Sequence, residues 1–217
     1  VSNVTGPGVP GAQPTVSEIV ARARATAPRL GATRLILVDG PAGSGKTTLA
    51  GRITVALGGE PSAGAGTYDP SRAPAPDAPA QLLHADDMYE GWDGLEQLDE
   101  VLVTQVLEPL AAGQEAGFAM WDWQRGERTD RIAVPVRPFL VIEGVGVARR
   151  EARAFSVCTV WVEAPEEVRL ARGIARDGEG MRAEWLRWQP REMTHFTLDG
   201  TREAADMIVD GTSPIRD

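Results

Sequence analysis

The residues Gly40-Pro-Ala-Gly-Ser-Gly45-Lys46-Thr47 match the pattern G-x-x-x-x-G-K-[ST] without a mismatch. The chemistry such a run can do is anion binding. Gly43 and Gly45 let the backbone bend closely around a polyphosphate, and successive N–H groups then point at the anion from the start of a helix. In this arrangement the Lys46 ammonium reaches the β and γ phosphates and the Thr47 hydroxyl ligates Mg²⁺. Gly40, Ala42, Gly43, Ser44, Gly45, Lys46, Thr47 and Thr48 are the expected contacts to ATP. The competing reading is a plain glycine-rich turn between a strand and a helix.

Carboxylates further along narrow the chemistry. His84-Ala-Asp86-Asp87-Met-Tyr89 follows a short apolar run, at the end of a strand that would open onto a ligand crevice. An aspartate there accepts a proton from an attacking hydroxyl, or helps to hold Mg²⁺ through water; alternatively it makes an Asx turn. Glu143 ends a second apolar run, Phe139-Leu-Val-Ile142, and is either a metal-linked acid or a structural carboxylate. Trp92, Trp121 and Trp123 either stack on a planar group or fill a core. Arg169, Arg172 and Arg176 recur at helical spacing, so they form one face. His84 either tunes the acidic pair that follows it or is a structural histidine at a strand end, His195 carries little functional weight, and Cys158 reads as a small core residue.

The elements that must position these residues follow from periodicity. Helices are expected from Thr15 to before Pro28, from Lys46 to about Leu57, over 95–110, over 147–154, from Glu166 to about Arg176, and over 184–198. Strands are expected at 33–38, 81–85, 139–142, 159–162 and 207–209. Their alternation predicts an α/β fold with a mainly parallel sheet. Residues 1–14 read as a flexible tail and 15–217 as one domain. Within it, 58–80 is a Gly/Pro-rich loop too poor in apolar side chains to offset its chain entropy.

In motif order, Val38-Asp-Gly40, Gly45-Lys46-Thr47, Asp86-Asp-Met-Tyr89, Trp121-Asp-Trp123, Ile142-Glu143-Gly144-Val145 and the arginines 169–176 resemble the uridine kinase-like branch of P-loop kinases, which includes phosphoribulokinase-like enzymes. The resemblance spans roughly residues 33–210. It implies a P-loop three-layer α/β/α sandwich with a helical lid at about 166–185, and an ATP- and Mg²⁺-dependent phosphotransferase with an alcohol acceptor. Asp86 matches the catalytic base, with Thr47, Asp86 and Glu143 around the metal. Tyr89, Trp121 and Trp123 match aromatic positions at the acceptor, Arg128 matches a basic residue after them, and Asp87 is assigned to the acceptor side. Arg172 and Arg176 match lid arginines that close over phosphate.

Composition sets the outer bounds. Lys and Arg total 22 against 31 Asp and Glu, a net charge of -9. That is a poor surface for nucleic acid. One cysteine excludes an internal disulfide and a cysteine zinc cluster. No apolar run approaches a membrane span, and residues 1–14 lack the marks of a signal peptide, so a soluble cytoplasmic domain is expected, with homo-oligomers permitted. Three functions fit: a small-molecule kinase, a nucleotide-binding switch without phosphotransfer, or a P-loop enzyme acting on a nucleotide or antibiotic-like acceptor.

The sequence departs from uridine kinases after Trp123. Gln124, Arg125 and Gly126 stand where a pyrimidine-reading histidine is usual. A site that cannot pair a base's polar edge discriminates poorly for it. Uridine and cytidine are therefore expected to be poor acceptors, which steady-state kinetics with each will check; efficient phosphorylation of uridine at low-micromolar KM would overturn this.

Overall fold

In the computed structural model, residues 13–68 and 77–217 are described. The expected tail falls largely on residues 1–12, outside the described residues, as does the stretch 69–76 of the Gly/Pro-rich loop. Five strands form one parallel sheet: β1 (Arg34–Asp39), β2 (Ala80–His84), β5 (Phe139–Glu143), β6 (Ser156–Glu163) and β7 (Met207–Asp210), in the order β2-β5-β1-β6-β7. Being buried on both faces, β1 reads as a continuous apolar run. Leu35 and Leu37 face one layer, Ile36 and Val38 the other.

The layer under Ile36 and Val38 is built by α1 (Val16–Ala25) and α2 (Lys46–Ala56). Thr15 caps α1 through a reciprocal bond with Glu18, and Val16, Ile19, Val20 and Ala23, which share one helical face, are buried. The opposite layer holds α3 (98–111), α4 (Arg150–Arg153) and α6 (Arg182–Asp199); α5 (Glu166–Asp177) leads into α6. The helix expected over 95–110 begins later, and its middle, Leu102–Leu107, is π-helical. The wider turn brings Leu107 into the core along with Leu102 and Val106. Among the described residues no helix is long and apolar enough to cross a membrane.

A two-stranded antiparallel sheet, β3 (Ala116–Asp122) with β4 (Glu127–Val134), was not expected from the sequence. The first strand contains Ala and Gly, and the second is largely charged and exposed. Pairing supplies what propensity does not. Gly117 permits the close approach, since a Cβ there would lie 2.7 Å from the Ile132 carbonyl oxygen. The Asp122 carboxylate accepts from the N–H groups of Gln124 and Arg125, closing the turn at Gly126, whose φ is +68°. Asp122 thus builds the hairpin that presents the tryptophans on either side of it.

Candidate active site

The carboxyl ends of β1, β2 and β5 converge on one crevice. Register does this: His84 pairs with Glu143 across β2–β5, and Val38 with Glu143 across β1–β5. Between β1 and α2 the phosphate loop turns with φ of +78° at Gly43 and +107° at Gly45. Beside it opens a cleft of about 890 Å³, lined by Ala42, Gly43, Gly45, Lys46, Thr47 and Thr48, by Asp86 and Glu143, by Arg172 and Arg176, and by a wall of tryptophans.

The loop's own contacts show what it offers an anion. Ala42 N–H donates to Glu192 and Ser44 N–H to the Pro41 carbonyl, while Gly43, Gly45, Lys46, Thr47 and Thr48 N–H find no acceptor among the described residues. Unpaired N–H groups at a helix start facing a cleft form an anion cradle. Two expected contacts behave otherwise. Gly40 donates to Asp39 and packs on β6, where a Cβ would lie 2.0 Å from the Val162 carbonyl oxygen. Ser44 is fully buried behind the loop. Lys46 is the only lysine in the chain, a signal available in the sequence. Its Nζ rests 3.0 Å from the Pro41 carbonyl oxygen, at the cleft wall.

The acids divide cleanly. The Thr47 hydroxyl donates to Glu143 Oε1 (3.0 Å), and His84 Nδ1 lies 2.7 Å from the same oxygen. With its proton directed at Glu143, the Thr47 oxygen keeps lone pairs for a cation. Among the described residues no group of three or more His, Cys, Asp or Glu holds a metal by itself. The donor set suits Mg²⁺, which keeps waters and substrate phosphates and takes few protein oxygens. Burial pushes Glu143 up, but the His84 bond and charge, Lys46 and Thr47 together hold it below the usual carboxylate range.

Asp86 faces the cleft, and its carboxylate has no hydrogen-bond partner among the described residues. Burial raises its pKa and the Glu143 charge adds to this; Arg176, Lys46 and His84 oppose. Asp87, expected at the acceptor, turns the other way: its carboxylate accepts from Gly66 N–H (2.6 Å) beside a separate cavity of about 310 Å³. The segment 58–68 is no free excursion either. Ser62 Oγ lies 2.7 Å from His84 Nε2, and Ala63, Gly64 and Ala65 line the cleft.

Other expected contacts are redistributed. Arg128 is spent on the Met88 and Ala119 carbonyls and on Glu90, so it ties the hairpin to the 88–90 turn and does not line the cleft. Tyr89 does line the cleft, although it is largely buried and its hydroxyl donates to the Val145 carbonyl. Arg172 lines the cleft and donates to the carbonyls of Gly43 (3.3 Å) and Gly211 (3.0 Å), so that it also braces the loop. Arg169 leaves the lid face to pair with fully buried Glu192 at 2.7 Å. Arg176 remains at the cleft, paired with Asp177 and near Trp185. Trp121 and Trp123 do line the cleft, and Trp185 and Trp188 join them, two tryptophans the sequence reading passed over. Their spacing on one helix was the available signal. Trp92 sits at the centre, edge-to-face with Trp123 (5.7 Å), Trp185 (6.2 Å) and Trp188 (5.9 Å).

No protein-family model and no curated protein matches the chain. Solved structures do. A possible uridine kinase from Bacillus stearothermophilus superposes with a TM-score of 0.59 at 20% identity, covering 90% of this chain and 97% of that one. A candidate fructose transport system kinase from Silicibacter sp. TM1040 superposes with a TM-score of 0.53 at 16% identity, again over 90% of this chain and 97% of that one. The likeness establishes a shared α/β fold with a mainly parallel sheet, as the alternation of strands and helices predicted.

The two histidines are pushed in opposite directions. Burial and the Arg149 charge lower His195. Burial lowers His84 too, but the Glu143 bond and charge, with Asp87 and Asp86, outweigh it and raise the value above 6.5. The stabilisation from a raised histidine is complete below its unfolded value and is lost as pH rises through the folded one. NMR titration of metal-free protein should therefore show His84 above 6.5, falling in Glu143→Gln; an unmoved His84 in that variant would contradict the pairing.

Proposed function

We propose that the protein is an ATP- and Mg²⁺-dependent small-molecule kinase, transferring the γ-phosphoryl group to a hydroxyl on an acceptor with a planar part. The observation that carries this reading is Asp86: an unpartnered carboxylate with a raised pKa, facing the same cleft as the phosphate loop. A carboxylate in that state is suited to take the acceptor's proton as its oxygen attacks phosphorus. The bond from the γ-phosphorus to the bridging oxygen breaks, and ADP leaves. Backbone N–H groups of Gly43, Gly45, Lys46, Thr47 and Thr48, with the Lys46 ammonium, hold the polyphosphate. Thr47 directly, and Glu143 and Asp86 through water, would hold Mg²⁺, which when bound offsets the charge that develops on the phosphates. Arg176 supplies a further cation at the cleft, and the end of α5 that carries it, beyond the braced Arg169 and Arg172, would exclude water on closing.

The acceptor end is aromatic. Of the six tryptophans, all but Trp161 line the cleft. Its cationic lining residues are Lys46, Arg172 and Arg176, at the phosphate end. With Arg128 spent on carbonyls, a neutral planar acceptor suits the wall better than a nucleotide or a carboxylate.

The test is acceptor-dependent ADP release across a panel of nucleosides, vitamins, sugars and aromatic alcohols. With a productive acceptor, Asp86→Asn should lower turnover by ~10²–10⁴ and leave ATP binding intact, because it removes the base and keeps the size. Equal turnover in Asp86→Asn would remove Asp86 from this role.

A further inference from the structure

Glu192, on α6, is fully buried, and three groups fill its carboxylate. Oε2 accepts from Ala42 N–H (2.8 Å) and from Trp188 Nε1–H (2.9 Å), and Oε1 accepts from Arg169 Nη1 (2.7 Å). Arg169 also donates to the Ala42 carbonyl (3.3 Å) and the Ala164 carbonyl (3.1 Å). The N–H and C=O of one phosphate-loop residue are thus both held by an ion pair from two helices outside the loop. Gly43, next in the chain, lies so near α5 that a Cβ would sit 2.5 Å from the Arg169 carbonyl oxygen.

A buried carboxylate beside an anion cradle is a costly way to fix a loop, since it repels the ligand and loses its own hydration. A single oxygen shared by Ala42 and Trp188 gives it a second use. Trp188 lies in the aromatic wall, edge-to-face with Trp92 and Tyr89, the latter at 5.7 Å. A shift of either donor changes the bond that the other makes. We propose that Glu192 is a positioning residue that couples the tryptophan wall to the phosphate loop through Trp188 and Ala42, so that occupancy at one end of the cleft is registered at the other. Coupling of this kind is reciprocal: what nucleotide does to the wall, an acceptor on the wall does to nucleotide. The inference rests on the reading of residues 40–48 as a nucleotide cradle.

Reciprocity allows a test with nucleotide alone. ADP–Mg²⁺ is titrated into the full chain, with binding followed by calorimetry and the wall by intrinsic tryptophan emission. Wild type should bind and change its emission, and Trp188→Phe should bind and lose most of that change. Glu192→Gln keeps the size and one acceptor oxygen but loses the charge and the shared geometry; it should bind with most of the emission change lost. A purely structural Glu192 would lower the melting temperature of Glu192→Gln and leave the emission change whole, and that result overturns the coupling. If Glu192→Gln does not fold, Trp188→Phe decides alone: an undiminished emission change overturns the coupling. No calorimetric binding by folded wild type would instead defeat the nucleotide cradle itself.

Discussion

Backbone N–H groups that point into a cleft without an acceptor are costly in a folded protein, because water solvates them less well in a crevice than a partner would. Here the N–H groups of Gly43, Gly45, Lys46, Thr47 and Thr48 are left that way, in a chain with a net charge of -9. Much of the architecture serves to hold them so. The parallel sheet delivers β1 to the loop, α2 starts inside it, and the Arg169–Glu192 pair and Arg172 brace its peptides from outside. Asp39, buried and with its carboxyl pushed up to about 6 by burial, accepts from Gly40, Gly146 and Ala148 and so joins the loop to the segment after Glu143.

The cradle also gives the acids their meaning. Asp86 and Glu143 both occupy the crevice, and Glu143 raises Asp86 by charge repulsion on top of burial. The sheet register fixes Glu143 beside His84, which keeps Glu143 ionised; Asp86 has no such partner and stays the more basic of the two. Two carboxylates in the same crevice are thereby separated, one held below the usual carboxylate range and the other pushed above it.

Much of this was legible in the sequence where local pattern and tertiary role agree. The strands of the parallel sheet are apolar runs because both faces are buried, and the phosphate loop is a contiguous motif. Asp86 and Glu143 were readable because each ends such a run. The hairpin was not legible, since its second strand is charged and gains its order from pairing and from Arg128, whose targets are backbone carbonyls that no motif encodes. Arg169 and Arg172 looked alike on a helical face; only packing assigns one to Glu192 and the other to loop carbonyls. Asp87 differs from Asp86 by one position in a 3-10 turn, and the turn decides which carboxylate meets the cleft.

The central claim is that the loop and Lys46 bind a polyphosphate. Because Lys46 is the chain's single lysine, protein labelled with carbon-13 at the lysine side chain gives one lysine signal to follow. Titration with ATP–Mg²⁺ should shift that signal and saturate at one nucleotide per chain, as the ammonium leaves the Pro41 carbonyl for phosphate. A lysine signal that stays unmoved in folded protein at saturating nucleotide would contradict the account.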